Sequence, residues 1–218
     1  MKPAQAILCT ALALGSPAAV FAQAPAAISS SSKLSEDEGK RDSWTYRNPN
    51  AVIGKYQSFI IQPTELYSDP TAKWGSTTME QRRKFAEMMT DKLREEIGKE
   101  YQIAQRPDSG VATMKLTLLG VQSTTKLAAT ASRLTPFGLA LNGVKSIAGK
   151  EGSFTGSVHV AFELTDSRTG ELLFAAVRHR SPDALDIEAT LSTEKTVEAV
   201  AEDSATAIRK GLDKANGR

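Results

Sequence analysis

Apolar positions along this chain recur with two different periods, and the change from one to the other separates strands from helices. Over residues 111–124, Met114, Leu116 and Leu118 alternate with Thr113, Lys115 and Thr117, the two-residue period of a half-buried strand. Residues 153–165 and 171–180 predict a hairpin. Val158, Val160, Phe162 and Leu164 face one way while Ser157, His159 and Glu163 face the other, and Gly170 suits a positive φ in the loop between the arms. Residues 58–66 open with a short apolar run and read as a strand, in which Pro63 removes a ladder donor and so marks an edge, a bulge or the strand end. Residues 101–106 form a shorter strand candidate.

The helical period appears in three places. Thr78 with Gln81 three residues on is a capping box, and Phe85, Ala86, Met89, Leu93 and Ile97 follow on one stripe until Gly98. The opposite face, with Arg82, Arg83, Glu87, Asp91, Lys92, Glu95 and Glu96, reads as a solvated surface laced by i,i+4 pairs. A last helix over residues 192–215 carries Val197, Val200, Ala201, Ser204, Ala205, Ile208 and Leu212 on one stripe, and its small residues imply close packing. Between the strands, residues 135–148 have Thr135 as N-cap, Pro136 at the first helical position, and Phe137, Leu141, Val144 and Ile147 on one side. Gly138 and Gly143 each cost such a helix about 1 kcal/mol against alanine, so it must dock to persist. It is either a lid on its own core or a flap whose Phe137, Leu141, Val144 and Ile147 contact a partner or a membrane. The order of elements predicts an α+β fold over residues 44–218. We expect a single two-layer domain whose mixed or antiparallel sheet of about five strands is packed by two long helices and one short amphipathic helix.

The N-terminus changes the cellular picture. Lys2, an apolar run over residues 4–14, and Val20-Phe21-Ala22 form a signal peptide over residues 1–22, which implies an exported, periplasmic chain. The sole cysteine, Cys9, lies within that run, with too few residues before it for a lipid-attachment signal. Its removal excludes disulfide scaffolding, thiol catalysis and cysteine-based zinc sites together. Residues 23–43 are rich in Ala, Pro, Ser and charge and read as a flexible leader. The formal charge of +2 gives no reason to expect nucleic acid, and nothing after the signal is long and apolar enough for a transmembrane helix.

Candidate chemistry is sparse. Ser192-Thr193-Glu194-Lys195 spells S-x-x-K, yet it stands without the companion motifs of that chemistry, and a helix N-cap explains it. Residues 143–150 resemble a phosphate loop, but five residues rather than four separate Gly143 from Gly149, and Glu151 stands where a Ser or Thr should hold magnesium. His159 and His179, on the two hairpin arms with Asp183 downstream, offer zinc-ligand chemistry, for which exposed strand histidines are the plainer reading. Arg178, His179 and Arg180 form a candidate anion contact, with Arg133, Lys145 and Lys150 elsewhere in the sequence. Accordingly, no catalytic, metal or cofactor residue is assigned.

Several short stretches carry a family resemblance: Tyr46-Arg47-Asn48-Pro49, Lys55-Tyr56, Ile60-Ile61-Gln62-Pro63-Thr64-Glu65-Leu66-Tyr67, and Glu163-Leu164-Thr165-Asp166-Ser167-Arg168-Thr169-Gly170-Glu171. Together they resemble the bacterial exported family numbered 3313 among the domains of unknown function, from about Trp44 to the last helix. The resemblance implies a small envelope protein with an α+β domain, often a lipoprotein, and supplies no activity, cofactor or catalytic residue. This chain departs from the lipoprotein pattern in lacking a cysteine at the cleavage site. The expectation is a non-catalytic envelope protein that binds or helps assemble a protein partner, the alternative is a peripheral lipid or glycan binder, and a hydrolase ranks third.

Overall fold

A computed structural model describes residues 28–40, 42–69, 72–122, 156–182 and 192–218. Strands β1 (Ser35–Glu36), β2 (Ser43–Arg47), β3 (Ser58–Ile61) and β4 (Glu65–Leu66) precede helix α1 (Met79–Gly98). After it come β5 (Gln102–Ile103), β6 (Val111–Gln122), β7 (Ser157–Asp166), β8 (Leu172–Arg180) and helix α2 (Thr193–Ala215). The strands form one eight-stranded sheet in the order β1-β2-β8-β7-β6-β3-β5, with β4 also pairing β6. The sheet is mixed: β3, β4 and β5 join in parallel, while β1, β2, β6, β7 and β8 pair antiparallel.

Eight strands replace the expected five for two reasons. Pro63 interrupts the run over residues 58–66 and splits it into β3 and β4. The chain regains the β6 ladder on either side, through Gln62 N–H to Met114 O at 3.0 Å and Tyr67 N–H to Leu118 O at 3.0 Å. Between them the Thr64 N–H turns to the Thr90 hydroxyl of α1 at 2.9 Å. The other addition, β1 with β2, is too short to show a period in sequence and exists because β8 offers it an edge. Both long helices stand where their stripes place them, each with the predicted cap. Thr78 and Gln81 close the reciprocal box on α1, and the Ser192 hydroxyl accepts the Lys195 N–H on α2. The expected short helix over residues 135–148 lies outside the described residues.

The main core fills the space between the helices and one sheet face, where Phe59, Met89, Leu93, Met114, Leu118 and Val197 are almost wholly buried. Leu119 follows Leu118 onto the other face, where it joins Trp44, Ala161 and Val177 in a second apolar cluster, and a bulge between Leu118 and Gly120 shifts the alternation so that Val121 returns to the main core. Gly120 also lies under the Lys73 backbone: Val121 N–H donates to Lys73 O at 2.9 Å, and a Cβ on Gly120 would sit 2.6 Å from that oxygen.

The far face is therefore not the open, half-polar surface that strand alternation suggests. Ile28 and Leu34 pack on its apolar cluster, a 3-10 turn spans Ser31–Lys33, and β1 pairs with β2. Residues 28–40 fall within the expected flexible leader, and the structure corrects that reading for them. The reason is tertiary: Glu163, only 6% exposed, accepts hydrogen bonds from the Ser30 hydroxyl at 2.7 Å and the Ser29 hydroxyl at 3.1 Å. A serine run that looks like linker thus satisfies a carboxylate that would otherwise be buried alone.

Two predictions test these contacts. Gly120→Val should cost about 1–3 kcal/mol by forcing the Lys73 segment off β6, read as a Tm lowered by several degrees in thermal denaturation. Glu163→Ala should speed amide exchange over residues 28–36 and leave α1 protected; unchanged exchange there would show that the apolar contacts alone hold the strap.

Candidate functional site

Helix α1 lies over β3, β4, β5 and β6, and α2 lies over β6 and β7. Neither long helix covers the whole of the helix-side face toward β8 and β2. Alternation nonetheless places Phe162, Phe174 and Ala176 there, and a groove of about 220 Å³ runs between these residues and the flank of α2 formed by Ser204, Ala207, Ile208 and Gly211. The small residues of α2 thus divide their work. Ala201 and Ala205 are buried as close packing requires, whereas Ala207 and Gly211 leave room.

Among the described residues the groove lining contains three arginines and no acid. Arg47 enters from β2 with its guanidinium 5.4 Å from the centre of the Phe174 ring. Arg178, from β8, is half-buried and committed internally. It donates to Trp44 O at 2.6 Å and the Thr45 hydroxyl at 2.7 Å, and it pairs with Asp37 at 3.2 Å. Burial lowers its pKa, Asp37 opposes that shift, and the neighbouring charge of Arg180 adds to it. Arg180 is exposed, and among the described residues neither it nor Arg47 has a carboxylate partner.

This geometry divides the predicted Arg178-His179-Arg180 anion contact. Successive strand residues point to opposite faces, so Arg178 and Arg180 line the groove while His179 lies on the far side. There His179 is opposite His159, and the rings stack with centroids 4.3 Å apart. Burial pushes the His159 pKa down to about 4, the charges of His179 and Lys73 push the same way, and Asp42 opposes them. Among the described residues no group of three or more His, Cys, Asp or Glu side chains could hold a metal ion, and Asp183 lies outside them. The partner-contact residues Phe137, Leu141, Val144 and Ile147, and the phosphate-loop-like stretch 143–150, also lie outside the described residues. Ser192 is a helix cap, and Lys195 pairs with Glu198 at 3.0 Å. Sequence reasoning missed Arg47, which it used only as part of the family likeness; the signal was its position two residues from Thr45 on a strand that only β8 reveals.

Three of the four stretches carrying the family resemblance meet at the β7–β8 turn. The Asn48 amide donates to the Glu171 carboxylate at 2.8 Å and to Leu172 O at 3.1 Å, and the Tyr56 hydroxyl donates to Asp166 at 2.8 Å. Asp166 also accepts the backbone N–H groups of Arg168 and Thr169, and these bonds together hold its pKa down at about 2. Gly170 closes the loop at φ 71°. These residues clamp the β7–β8 turn.

Fold and groove together define an α+β domain with a small, apolar, arginine-bearing concavity on the helix side of its sheet. The chain belongs to the family of proteins of unknown function designated DUF3313, whose model matches residues 25–208. The match begins well before Trp44 and takes in the residues that strap the far face. No curated protein is significantly similar to it. Among solved structures it is similar to a PelC dodecamer from Paraburkholderia phytofirmans, at 11% identity and TM-score 0.37, covering 73% of this chain and 96% of that one. It is also similar to a DUF4136 family protein from Bacteroides thetaiotaomicron VPI-5482, at 9% identity and TM-score 0.36, covering 80% of this chain and 96% of that one.

His159 makes stability depend on pH. The unfolded chain takes a proton on His159 near the ordinary value of 6.5, the folded chain only near 4. Stability is thus complete above pH 6.5 and falls as pH drops through the interval to about 4. After discounting for screening by nearby solvent, the loss should be on the order of 1–2 kcal/mol. In urea titrations at several pH values, His159→Gln should flatten that slope; an equally steep slope in the variant would assign it to other groups.

Proposed function

We propose that this protein is a non-catalytic binding module of the bacterial envelope, exported to the periplasm by its N-terminal signal, with the groove beside α2 as its binding surface. The observation that carries this reading is the juxtaposition of an apolar floor with Arg47 and Arg180, two guanidiniums lacking a carboxylate partner among the described residues. Such a surface favours binding over bond-making: it offers hydrophobic area and fixed positive charge, whereas catalysis needs a nucleophile and a base held within hydrogen-bond reach. No helix among the described residues is long and apolar enough to cross a membrane. A partner engaging the segment 135–148 through Phe137, Leu141, Val144 and Ile147 remains compatible with this reading and would extend the contact.

Gly211 provides the test. It is helical, it lines the groove, and a Cβ built on it meets nothing within 4 Å. Gly211→Leu should therefore fill the groove while relieving a helix-propensity cost of about 0.8 kcal/mol. The neutral dye Nile red should bind the wild-type chain with enhanced fluorescence, and the variant should lose at least tenfold in affinity at an unchanged or higher Tm. Equal dye binding by both chains would remove the groove as the binding surface.

A further inference from the structure

We propose that the occupant of the groove is a long-chain carboxylate, its single hydrocarbon tail lying along Phe162, Phe174 and Ala176 and its anionic head held at the Arg180 end. The inference rests on the groove being the binding surface and adds to it the chemical class of the ligand.

Three observations lead to this class. The space, about 220 Å³, is smaller than the roughly 300–1,000 Å³ of a drug-sized site, which suits one chain rather than two chains or a fused-ring lipid. Apart from the arginines, Ser204 is the one polar side chain of the lining among the described residues. An extended peptide would bury backbone N–H and C=O groups there without partners, whereas a hydrocarbon needs none. The third observation is charge. Arg178 is matched by Asp37, but Arg180 stands beside it as a second positive charge with no acid in the lining, and Arg47 lies at the Phe174 end of the same groove. A carboxylate arriving with an apolar tail satisfies both features at once, and a guanidinium suits it better than an ammonium because its fork of donors matches two oxygens.

The chain's own sequence supplies the competitors. Residues 123–155 carry Lys126, Arg133, Lys145 and Lys150 against Glu151, a positive balance that does not complement the arginines. Residues 183–191 are acidic, with Asp183, Asp186 and Glu188, and follow soon after Arg180, so they need a control of their own.

The test is calorimetric titration of the chain as secreted with octanoate, decanoate and dodecanoate, with 1-dodecanol and dodecyltrimethylammonium as neutral and cationic controls. Dodecanoate should bind at least tenfold more tightly than 1-dodecanol, and each added CH₂ should tighten binding up to about fourfold until the groove is full. Raising salt from 50 to 500 mM should erode the preference for the carboxylate. Arg47→Gln/Arg180→Gln, which spares Arg178 and its bonds to Trp44 and Thr45, should abolish that preference, so that dodecanoate and 1-dodecanol bind the variant with equal affinity. Gly211→Leu should lose both ligands. Nile red binding with equal affinities for dodecanoate and dodecanol would overturn the ligand class and keep the groove; failure of both probes would overturn the groove as well. Dodecanoate binding only after Asp183→Asn/Asp186→Asn/Glu188→Gln would mean that the chain's own acidic stretch is the occupant. An acidic amphipathic peptide binding more tightly than dodecanoate would replace the lipid with a protein partner.

Discussion

The central ladder β6-β7-β8 is apolar along its helix-facing side and carries a smaller apolar cluster among polar residues on the other, and both have to be removed from water by something outside the ladder. That requirement organises the molecule. On one face α1 and α2 bury Met114, Leu118 and Val158. On the other, Ile28 and Leu34 of the N-terminal strap, with Tyr67, pack over Trp44, Leu119, Ala161 and Val177. Hydrophobic burial is non-directional, so a helix and a two-residue strand can serve the same end. Direction comes from the polar contacts: Glu163 chooses Ser29 and Ser30, and Asn48 and Tyr56 choose the β7–β8 turn.

The same requirement leaves the groove. Among the described residues, the two long helices cover the β3–β7 part of the sheet and leave part of its β8 and β2 flank uncovered. The small residues along α2 keep that flank from closing by side-chain contact. Arginines suit this border because the stem lies on apolar surface while the guanidinium stays near water. Arg178 shows what happens to one drawn inward, for its charge is absorbed by two backbone and side-chain oxygens and by Asp37. Arg47 and Arg180 have no such compensation within the described residues, so this border carries positive charge.

The family likeness and the groove overlap at Arg47 and Leu164, and otherwise answer different questions. The matched stretches around Asn48, Tyr56, Asp166 and Glu171 hold a turn, and their chemistry is that of shape: amide, phenol and carboxylate groups satisfying one another and the backbone. The groove lies along the strands that this turn joins. Fixing the turn sets the register of β7 against β8, and the register decides that Phe162, Ala176, Arg178 and Arg180 share a side.

The sequence by itself determined the elements that depend on local chemistry. Both long helices, with Thr78 and Ser192 as caps, follow from side chains three or four residues apart, and the hairpin with its positive-φ Gly170 follows from alternation and turn chemistry. Pro63 announced an interruption because a missing donor is a property of the residue itself. Only the tertiary structure decided the rest. A strand as short as β1 or β2 has no period to read and forms where another strand offers it an edge. Ser29 and Ser30 resemble linker until Glu163, more than a hundred residues away, gives their hydroxyls a partner. Arg178, His179 and Arg180 look like one cationic patch in sequence, and the pleat sends the histidine to one face and both arginines to the other. Arg47 joins those arginines only because β2 pairs with β8, a contact between distant parts of the chain that no local pattern encodes.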